Sequence, residues 1–279
     1  MDTSRKYGRI GDTKYPDPLV AGYNPCAEQS LENKETCCLA EIFLPNINSK
    51  QELYRVAKSL YRINKHSLAL PCHHKDTEDV VHKNMRMGIG ITGVAMATQE
   101  QLGWLADCYD MLREYDAAYS ALHGWPRSIK LTTVKPSGSL SLLPGHTSGG
   151  HPGFAPYFIR RVRVASNSNM VEVCRSHGYQ VEYQRNFDGT DDHTTVVVSF
   201  PCKLPEHTIF AKDFGAVKQM ELVKWLNTNW SDNAVSVTIY YKPEELPEIK
   251  QWLLDNYSDS VKTMSFLLHS GHGFDQAPL

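Results

Sequence analysis

Residues 24–28 alternate polar groups that could act together on one substrate. Asn24, Cys26 and Glu28 are separated by Pro25 and Ala27. In an extended segment, residues at i, i+2 and i+4 point to the same side, so an amide, a thiol and a carboxylate would share one face. That face would combine a hydrogen-bond donor, a sulfur reagent and a general base. The alternative is a surface turn with an incidental cysteine. Pro25 suits an exposed loop, because it removes a backbone donor and stiffens the chain.

A second segment has the composition of a phosphate-binding turn. Residues 135–141 read KPSGSLS and follow residues 129–134, which we expect to be a strand. Consecutive backbone N–H groups and small hydroxyls at such a point suit a phosphate, although an ordinary turn has the same pattern. The candidate phosphate-binding residues are Ser137, Gly138, Ser139 and Leu140.

The chain has 7 cysteines and no CxxC pair. In a reducing compartment such cysteines are core residues, metal ligands or redox catalysts. Residues 72–74 (CHH) could suggest a ligand cluster, but adjacent residues rarely point at one metal. We therefore expect a polar loop there and no metal site. Cys108 and Cys174 lie in predicted helices and are expected to be structural.

Composition excludes several classes of function. The net charge is -2 and no long Lys/Arg cluster occurs, so a nucleic acid polymer is not the expected partner. No stretch approaches 18 apolar residues, which argues against a membrane span. The first residues are polar and lack the apolar core of a signal peptide, so we expect a cytoplasmic protein.

Hydrophobic periodicity predicts the elements that position these groups. We expect a strand at 38–44, a helix from residue 48 or 49 to about 64, and a close-packed, glycine-containing helix at 84–98. The clearest helix begins at Leu105 and stops at Gly124. Residues 145–153 read as a loop, and we assign no chemistry to its His146 and His151.

The last third has a regular rhythm. Strands are expected at 195–200, 234–241 and 263–268, separated by helices at about 216–228 and 244–256. Strands separated by helices are normally parallel, so the fold class is α/β. We expect one domain over residues 1–279.

Residues 22–41 closely resemble the active-site finger loop of ribonucleotide reductases, whose signature is Asn-x-Cys-x-Glu. The Asn-Pro-Cys form at 24–26, the following Gln-Ser-Leu-Glu and a second cysteine eleven residues after Cys26, at Cys37, resemble the adenosylcobalamin-dependent class. Residues 135–141 are similar to the family's substrate-phosphate loop, with Ser139 in place of the commoner Thr. The resemblance covers nearly the whole chain.

The resemblance implies roles. Cys26 would form a transient thiyl radical and abstract the 3′ hydrogen of the ribose, Glu28 would take the 3′ hydroxyl proton, and Asn24 would hydrogen-bond the sugar. Cys37 would be one of two reducing cysteines that end as a disulfide. Its partner lies upstream of the finger loop in the family, and Cys38 is expected to be a small buried residue instead.

The resemblance also implies a fold and partners. The chain would be the second half of a ten-stranded α/β barrel, with a finger loop at about 22–37. The N-terminal half-barrel and the C-terminal shuttle cysteines have no counterpart in this sequence. The expected substrate is a ribonucleotide, with a triphosphate favoured over a diphosphate. The expected cofactor is adenosylcobalamin, and the expected reductant is thioredoxin. A complementary chain would carry the first half-barrel.

Two alternatives remain open. One is a fragment of the large chain of an iron-dependent ribonucleoside-diphosphate reductase, which would need a separate radical-generating subunit. The other is a non-catalytic remnant that assembles with a reductase. Retention of Asn24, Cys26, Glu28 and Cys37 speaks against the remnant.

Overall fold

The structure is a computed structural model that describes residues 1–269 and Gln276. Helices and strands alternate along most of the chain, as the α/β prediction requires. The helices are α1 (Asp2–Lys6), α2 (Lys50–Leu68), α3 (Lys75–Asn84), α4 (Gln99–Gly103), α5 (Leu105–His123), α6 (Asn169–Ser176), α7 (Ala211–Phe214), α8 (Ala216–Asn229) and α9 (Leu246–Ser260). The strands are β1 (Gly22–Tyr23), β2 (Ser30–Leu31), β3 (Leu39–Phe43), β4 (Gly88–Thr92), β5 (Tyr157–Ala165), β6 (Gln180–Arg185), β7 (Asp191–Lys203), β8 (Thr238–Tyr241) and β9 (Ser265–Leu268).

A row of parallel extended segments forms the centre of the molecule. β3 pairs with β4 from Leu39 opposite Gly88 to Phe43 opposite Thr92. β4 continues the row to residues 130–134 through a parallel bridge between Ile89 and Thr132. A further parallel bridge joins 130–134 to the segment that leads into β8, and β8 pairs in parallel with β9. The α/β class is therefore confirmed.

Helices cover one face of this sheet. Ile42 of β3 and Ile89 and Ile91 of β4 belong to the main core together with buried side chains of α2, α5 and α8. Ser49 caps α2, because its side chain accepts a hydrogen bond from Glu52 N, and Gly124 ends α5 at a φ of 66°. Both helices confirm the predictions, although α2 extends to residue 68.

The structure corrects the prediction for the segment 84–98. The glycine spacing predicted a helix, but β4 is a strand whose five residues are all buried. A Cβ added at Gly88 would lie 2.6 Å from Leu39 Cδ2 and 2.9 Å from Thr133 Cγ2. The glycines therefore allow close approach between strands. A short, fully buried apolar run carries no periodicity that separates strand from helix.

The structure also corrects the prediction for residues 195–200. They were predicted to begin a parallel β-α-β-α-β series, but they belong to β7, the central strand of an antiparallel sheet in the order β5-β7-β6. Helix α6 packs on this sheet and forms a small core with Val171, Cys174, Val196 and Val198. The exposed, charged strands β5 and β6 lack a buried face strong enough to be read from the sequence.

Buried charged side chains hold the N-terminal segment against the parallel sheet. Lys262 Nζ donates to the carbonyl oxygens of Gly8 at 2.6 Å and of Asp232 and Asn233 at 2.7 Å each. The Asp232 carboxylate accepts from the backbone N–H of Thr132 at 2.8 Å and pairs with Arg113 at 2.6 Å. These contacts fix the start of the segment 130–134. Within residues 1–269 and Gln276, no helix has the length and apolar character needed to cross a bilayer.

Candidate active site

Residues 24–29 form a tight turn between β1 and β2. Ala27 N donates to Asn24 O at 2.8 Å, and Asn24 N donates to Gln29 O at 3.0 Å. The Asn24 side chain also accepts from Gln29 N at 3.0 Å, and Ala27 has a φ of 61°. Proline at the second position favours a turn, and the Asn24 side chain closes it by accepting from the Gln29 backbone N–H.

The turn corrects the predicted extended geometry. Cys26 lies exposed at the tip, whereas Glu28 is buried at 1% exposure, so the two side chains do not alternate along one extended face. What brings the polar groups together is the closure of the turn, which places Asn24 and Gln29 side by side. We name residues 24–29 the Cys26 turn.

Hydrogen bonds from the parallel sheet hold the Cys26 turn in place. Glu28 O accepts from Thr133 Oγ1 at 2.7 Å and from Ala234 N at 3.0 Å. Ala27 O accepts from Thr263 Oγ1 at 3.1 Å. Thr133 lies against Gly88, and Gly88 faces the side of β4 opposite to Ile89 and Ile91, which pack on α2 and α5. The turn therefore lies on the sheet face that these two helices do not cover.

Cys37 is bound to the same turn. Its thiol donates to Gln29 Oε1 at 2.7 Å, and Asn24 Nδ2 lies 3.7 Å from its sulfur. The residue as a whole is exposed, but partial burial of its sulfur, followed by the negative charge of Glu28, raises the pKa of Cys37 to about 11. Cys37 is therefore a protonated thiol at neutral pH, close to Glu28 and to Cys26.

Cys38 points away from this group. Its sulfur lies 3.9 Å from Asn64 O of α2 and packs against the main core. Burial raises its pKa to about 11. Adjacent residues of an extended chain face opposite sides, which explains why the two neighbouring cysteines have different surroundings. All seven cysteines are free thiols.

Two charged residues that the sequence analysis did not single out border the site. Glu41 on β3 has both carboxyl oxygens buried, and burial raises its pKa to about 8 while Lys135 opposes this shift. Lys135 also lowers the pKa of Cys37 and therefore lies near both groups. The available signal was a carboxyl group inside the apolar run 38–44.

The proposed phosphate loop follows the segment 130–134. Ser137 is buried and its hydroxyl has no partner among the residues that the structure describes, whereas Gly138, Ser139 and Leu140 are exposed. A short 3-10 helix, Leu140–Leu142, begins there, and the N–H groups of Ser141 and Leu142 already donate to Ser137 O at 3.3 Å and Ser139 O at 3.1 Å. The unpartnered Ser137 hydroxyl is therefore the group of this loop that lacks a hydrogen bond within the described residues.

The two loop histidines differ. His151 Nε2 accepts from Thr238 N at 3.1 Å, and its Nδ1 donates to Ser148 O at 2.9 Å. This ring ties the loop to β8 and has no free nitrogen. His146 is buried beside Phe43, and burial lowers its pKa.

No family model matches the chain. It is 33% identical over 278 residues to a probable adenosylcobalamin-dependent ribonucleoside-triphosphate reductase of Dictyostelium discoideum, covering 97% of this chain and 36% of that protein. It is also 33% identical to the adenosylcobalamin-dependent ribonucleoside-triphosphate reductase of Euglena gracilis, covering 96% of this chain and 37% of that protein.

A solved structure agrees with these relatives. The crystal structure of a B12-dependent (class II) ribonucleotide reductase matches with a TM-score of 0.86 and 27% identity, covering 99% of this chain and 43% of that one. The chain therefore spans roughly two fifths of the length of the proteins it matches.

Proposed function

We propose that this chain, a homologue of the adenosylcobalamin-dependent ribonucleoside-triphosphate reductases over about two fifths of their length, carries out part of ribonucleotide reduction. The observation that supports this most directly is the Cys26 turn. It holds a thiol at its exposed tip, a buried carboxyl group two residues later and a second thiol bonded to Gln29. Radical reduction of a ribose needs these three groups within reach of one sugar.

We assign the roles as the chemistry requires. Cys26, as a thiyl radical, takes the hydrogen atom from C3′, because an S–H bond is weak enough for reversible transfer. Glu28 takes the 3′ hydroxyl proton, which assists loss of the 2′ hydroxyl as water. Cys37 and a second cysteine then supply two electrons and form a disulfide. Asn24 Oδ1 is occupied by Gln29 N, so its Nδ2 is the group that binds the sugar.

Ser137, Gly138, Ser139 and Leu140 are proposed to bind the substrate phosphates, more readily a triphosphate than a diphosphate. The loop lies at the carboxyl end of a parallel strand, where open α/β sheets place ligands. The unpartnered, buried Ser137 hydroxyl supports this assignment, because a buried polar group without a hydrogen bond is costly unless a ligand completes it.

The chain is proposed to be the second half of a ten-stranded α/β barrel, a single partial catalytic domain with the finger loop at about 22–37. Within the described residues, β3 pairs with β4 alone and β9 with β8 alone, so both outer edges of the parallel row lack a strand partner. Unpaired edges are templates for further strands. A complementary chain with the first half-barrel would occupy them, and thioredoxin would be the external reductant.

Adenosylcobalamin, named for the relatives, would supply the radical when bound. Four cavities of 360 to 630 Å³ in the described part of the chain are lined by residues other than Cys26. Cys26 is exposed at the tip of its turn and is the group that would face the cofactor, and we propose that the complementary chain contributes to the cofactor surface.

The test is reconstitution. The chain is mixed with the first-half chain of a relative, adenosylcobalamin, dithiothreitol and a ribonucleoside triphosphate or diphosphate, and deoxynucleotide is quantified. We expect product only from the mixture, with the triphosphate preferred. Cys26→Ser should abolish it, Cys37→Ser should allow at most one turnover, and Cys202→Ser on β7 should leave it unchanged. Product formation that survives Cys26→Ser would contradict the radical assignment.

A further inference from the structure

Gln29 is a buried amide in the Cys26 turn to which no role has been assigned. The residue has 0% exposure, whereas Cys37, to which it is bonded, is exposed. Gln29 Oε1 accepts from Cys37 Sγ at 2.7 Å. Gln29 Nε2 is buried and has no hydrogen-bond partner among residues 1–269 and Gln276. A buried polar atom without a partner costs free energy, so this end of the amide requires an explanation.

The main chain on both sides of Gln29 is fixed independently of its side chain. Gln29 N donates to Asn24 Oδ1, and Gln29 O accepts from Asn24 N, at 3.0 Å each. The next residue, Ser30, pairs with Tyr23 between β1 and β2. The amide group of the side chain can therefore rotate while the turn that carries Cys26 stays in place.

The sulfur of Cys37 has one acceptor and one donor beside it. The acceptor is Gln29 Oε1 at 2.7 Å, and the donor is Asn24 Nδ2 at 3.7 Å. A thiol donates through its hydrogen and accepts weakly through its sulfur, whereas a sulfur that has lost its hydrogen can only accept. Once Cys37 is oxidised, Gln29 Oε1 therefore faces an atom to which it can no longer bond.

A half-turn of the Gln29 amide would restore the hydrogen bond. It exchanges the positions of Oε1 and Nε2 and so brings a donor to the sulfur. The two ends of an amide have nearly the same size, and no described residue bonds Nε2, so the half-turn breaks no other hydrogen bond. One end of the amide is unpartnered in either orientation, so the state of the sulfur decides which end faces it.

We propose that Gln29 is a positioning residue for Cys37 whose amide bonds the sulfur in both redox states, through Oε1 to the thiol and through Nε2 to the oxidised sulfur. The inference rests on the proposed function, because Cys37 is one of its two reducing cysteines. In that step two S–H bonds break and one S–S bond forms. Two electrons and two protons pass to the substrate, whose 2′ hydroxyl leaves as water.

The side chain of Gln29 acts on the reducing step and not on nucleotide binding. In Gln29→Met the amide is lost, but the backbone bonds that hold Asn24 are retained. In the reconstituted pair of chains we expect kcat to fall about fivefold, as for the loss of one neutral hydrogen bond, while KM for the nucleotide stays unchanged.

The first direct measurement is the infrared S–H stretching band of Cys37 in the full chain, identified by its loss in Cys37→Ser. Donation of a hydrogen bond lowers this frequency, so we expect the band below that of an alkyl thiol in an apolar solvent. Gln29→Met should raise the frequency, and Gln29→Glu, which keeps an acceptor oxygen, should not. Gln219→Met, which removes a buried glutamine of α8, should leave the band unchanged.

The second measurement follows the amide itself. Methyl methanethiosulfonate converts the Cys37 thiolate to a methyl disulfide and releases methanesulfinate. Side-chain amide signals of ¹⁵N-glutamine are recorded before and after this reaction, and those of Gln29 are assigned by their loss in Gln29→Glu. We expect one Gln29 amide proton to move downfield, because it gains an acceptor, and the Gln219 signals to stay in place. Serine replaces the other cysteines that are not buried, which are Cys26, Cys38, Cys72 and Cys202.

The outcomes separate this proposal from the proposed function. A Cys37 band at the frequency of a thiol in an apolar solvent, or Gln29 amide signals that do not respond to the methyl disulfide, overturns the role of Gln29 even if the enzyme reduces ribonucleotides. The expected shifts support this role even if reconstitution yields no product. Should Gln29→Met fail to fold, the Cys37 band of the unmodified chain and the response of the amide still decide the matter.

Discussion

The thiol of Cys37 donates a hydrogen bond of 2.7 Å to Oε1 of Gln29, and this bond joins the segment before β3 to the Cys26 turn. The sulfur that is proposed to reduce the substrate is thereby fixed to the loop that is proposed to carry the radical. The acceptor atom is the amide oxygen of Gln29, so this bond favours the protonated thiol. Together with the raised pKa, it keeps Cys37 in the less nucleophilic thiol form at neutral pH.

The first prediction concerns alkylation of Cys37. Burial and the charge of Glu28 raise its pKa to about 11, so its iodoacetamide reaction rate should rise about tenfold per pH unit between pH 7 and 10. Glu28→Gln should speed the reaction at a given pH, because it removes a charge that disfavours the thiolate. Peptide mass spectrometry in a Cys38→Ser background measures the rate. A rate that levels off near pH 8 would be inconsistent with this environment.

The second prediction concerns Gly88. In Gly88→Ala the added methyl group meets Leu39 Cδ2 at 2.6 Å and Thr133 Cγ2 at 2.9 Å. Overpacking of this kind costs about 1–3 kcal/mol. Urea unfolding should show that loss, whereas Gly103→Ala, which meets nothing within 4 Å, should be neutral or stabilising. Equal stability of Gly88→Ala and the wild type would mean that the strands are not this close.

The third prediction is the pH dependence of stability due to Glu41. Its pKa is about 8 in the folded chain and near 4.5 when unfolded, so the folded state binds the extra proton between these values. Stability should therefore decrease as pH rises from about 4.5 to 8. Glu41→Gln should flatten this decrease, with a difference on the order of a few kcal/mol at pH 8. Unfolding curves of both proteins at several pH values test it; parallel pH profiles would contradict it.

The fourth prediction concerns Asp232 under the sheet. Burial raises its pKa, but Arg113 and Lys130 outweigh burial and hold it below 3.8, so its stabilising charge is present above that pH and is lost as pH falls through the lowered value. Asp232→Asn should cost about 3–5 kcal/mol at pH 7, because Arg113 loses its buried partner. Asp259→Asn, which removes an exposed pair with Lys6, should leave the curve of the same urea experiment almost unchanged.

The fifth prediction concerns the proposed phosphate loop. Ser137→Ala removes a hydroxyl that has no partner in the described part of the chain, so folding stability should change little. Nucleotide binding to the reconstituted pair of chains should weaken roughly tenfold, as expected for one hydrogen bond to a charged group. Calorimetry measures both wild type and variant, with Ser148→Ala as the control. Undiminished affinity would remove Ser137 from the site.

Local sequence patterns were sufficient to predict much of the fold. Helix α5 has an apolar stripe from Leu105 through Cys108 to Leu112 and a glycine stop, and both features are present. The stripe does not extend as far as Leu122, which is 80% exposed because α5 has left the core by then. β4 was misassigned because burial on both faces removes periodicity. β5 and β6 were not predicted, because their exposed and charged residues give no clear apolar alternation.

The candidate site was predictable in residue type but not in geometry. Asn24, Cys26, Glu28 and Cys37 do gather around one turn, yet the extended face was wrong because Asn24 bonds back to Gln29. Glu41 gave almost no signal in the sequence. Its environment is created by Gly90 and Lys135, 49 and 94 residues further along the chain, and only the folded sheet brings these together.

Lys262 and Thr263 bond to residues near the beginning of the chain, and these contacts affect the order in which the parts of the structure form. Lys262 bonds Gly8, 254 residues earlier, and Thr263 bonds Ala27, 236 residues earlier. During synthesis on the ribosome, the turn that presents Cys26 therefore emerges long before the residues that secure it. The turn that presents Cys26 gains this support only after residues 262 and 263 have been synthesised.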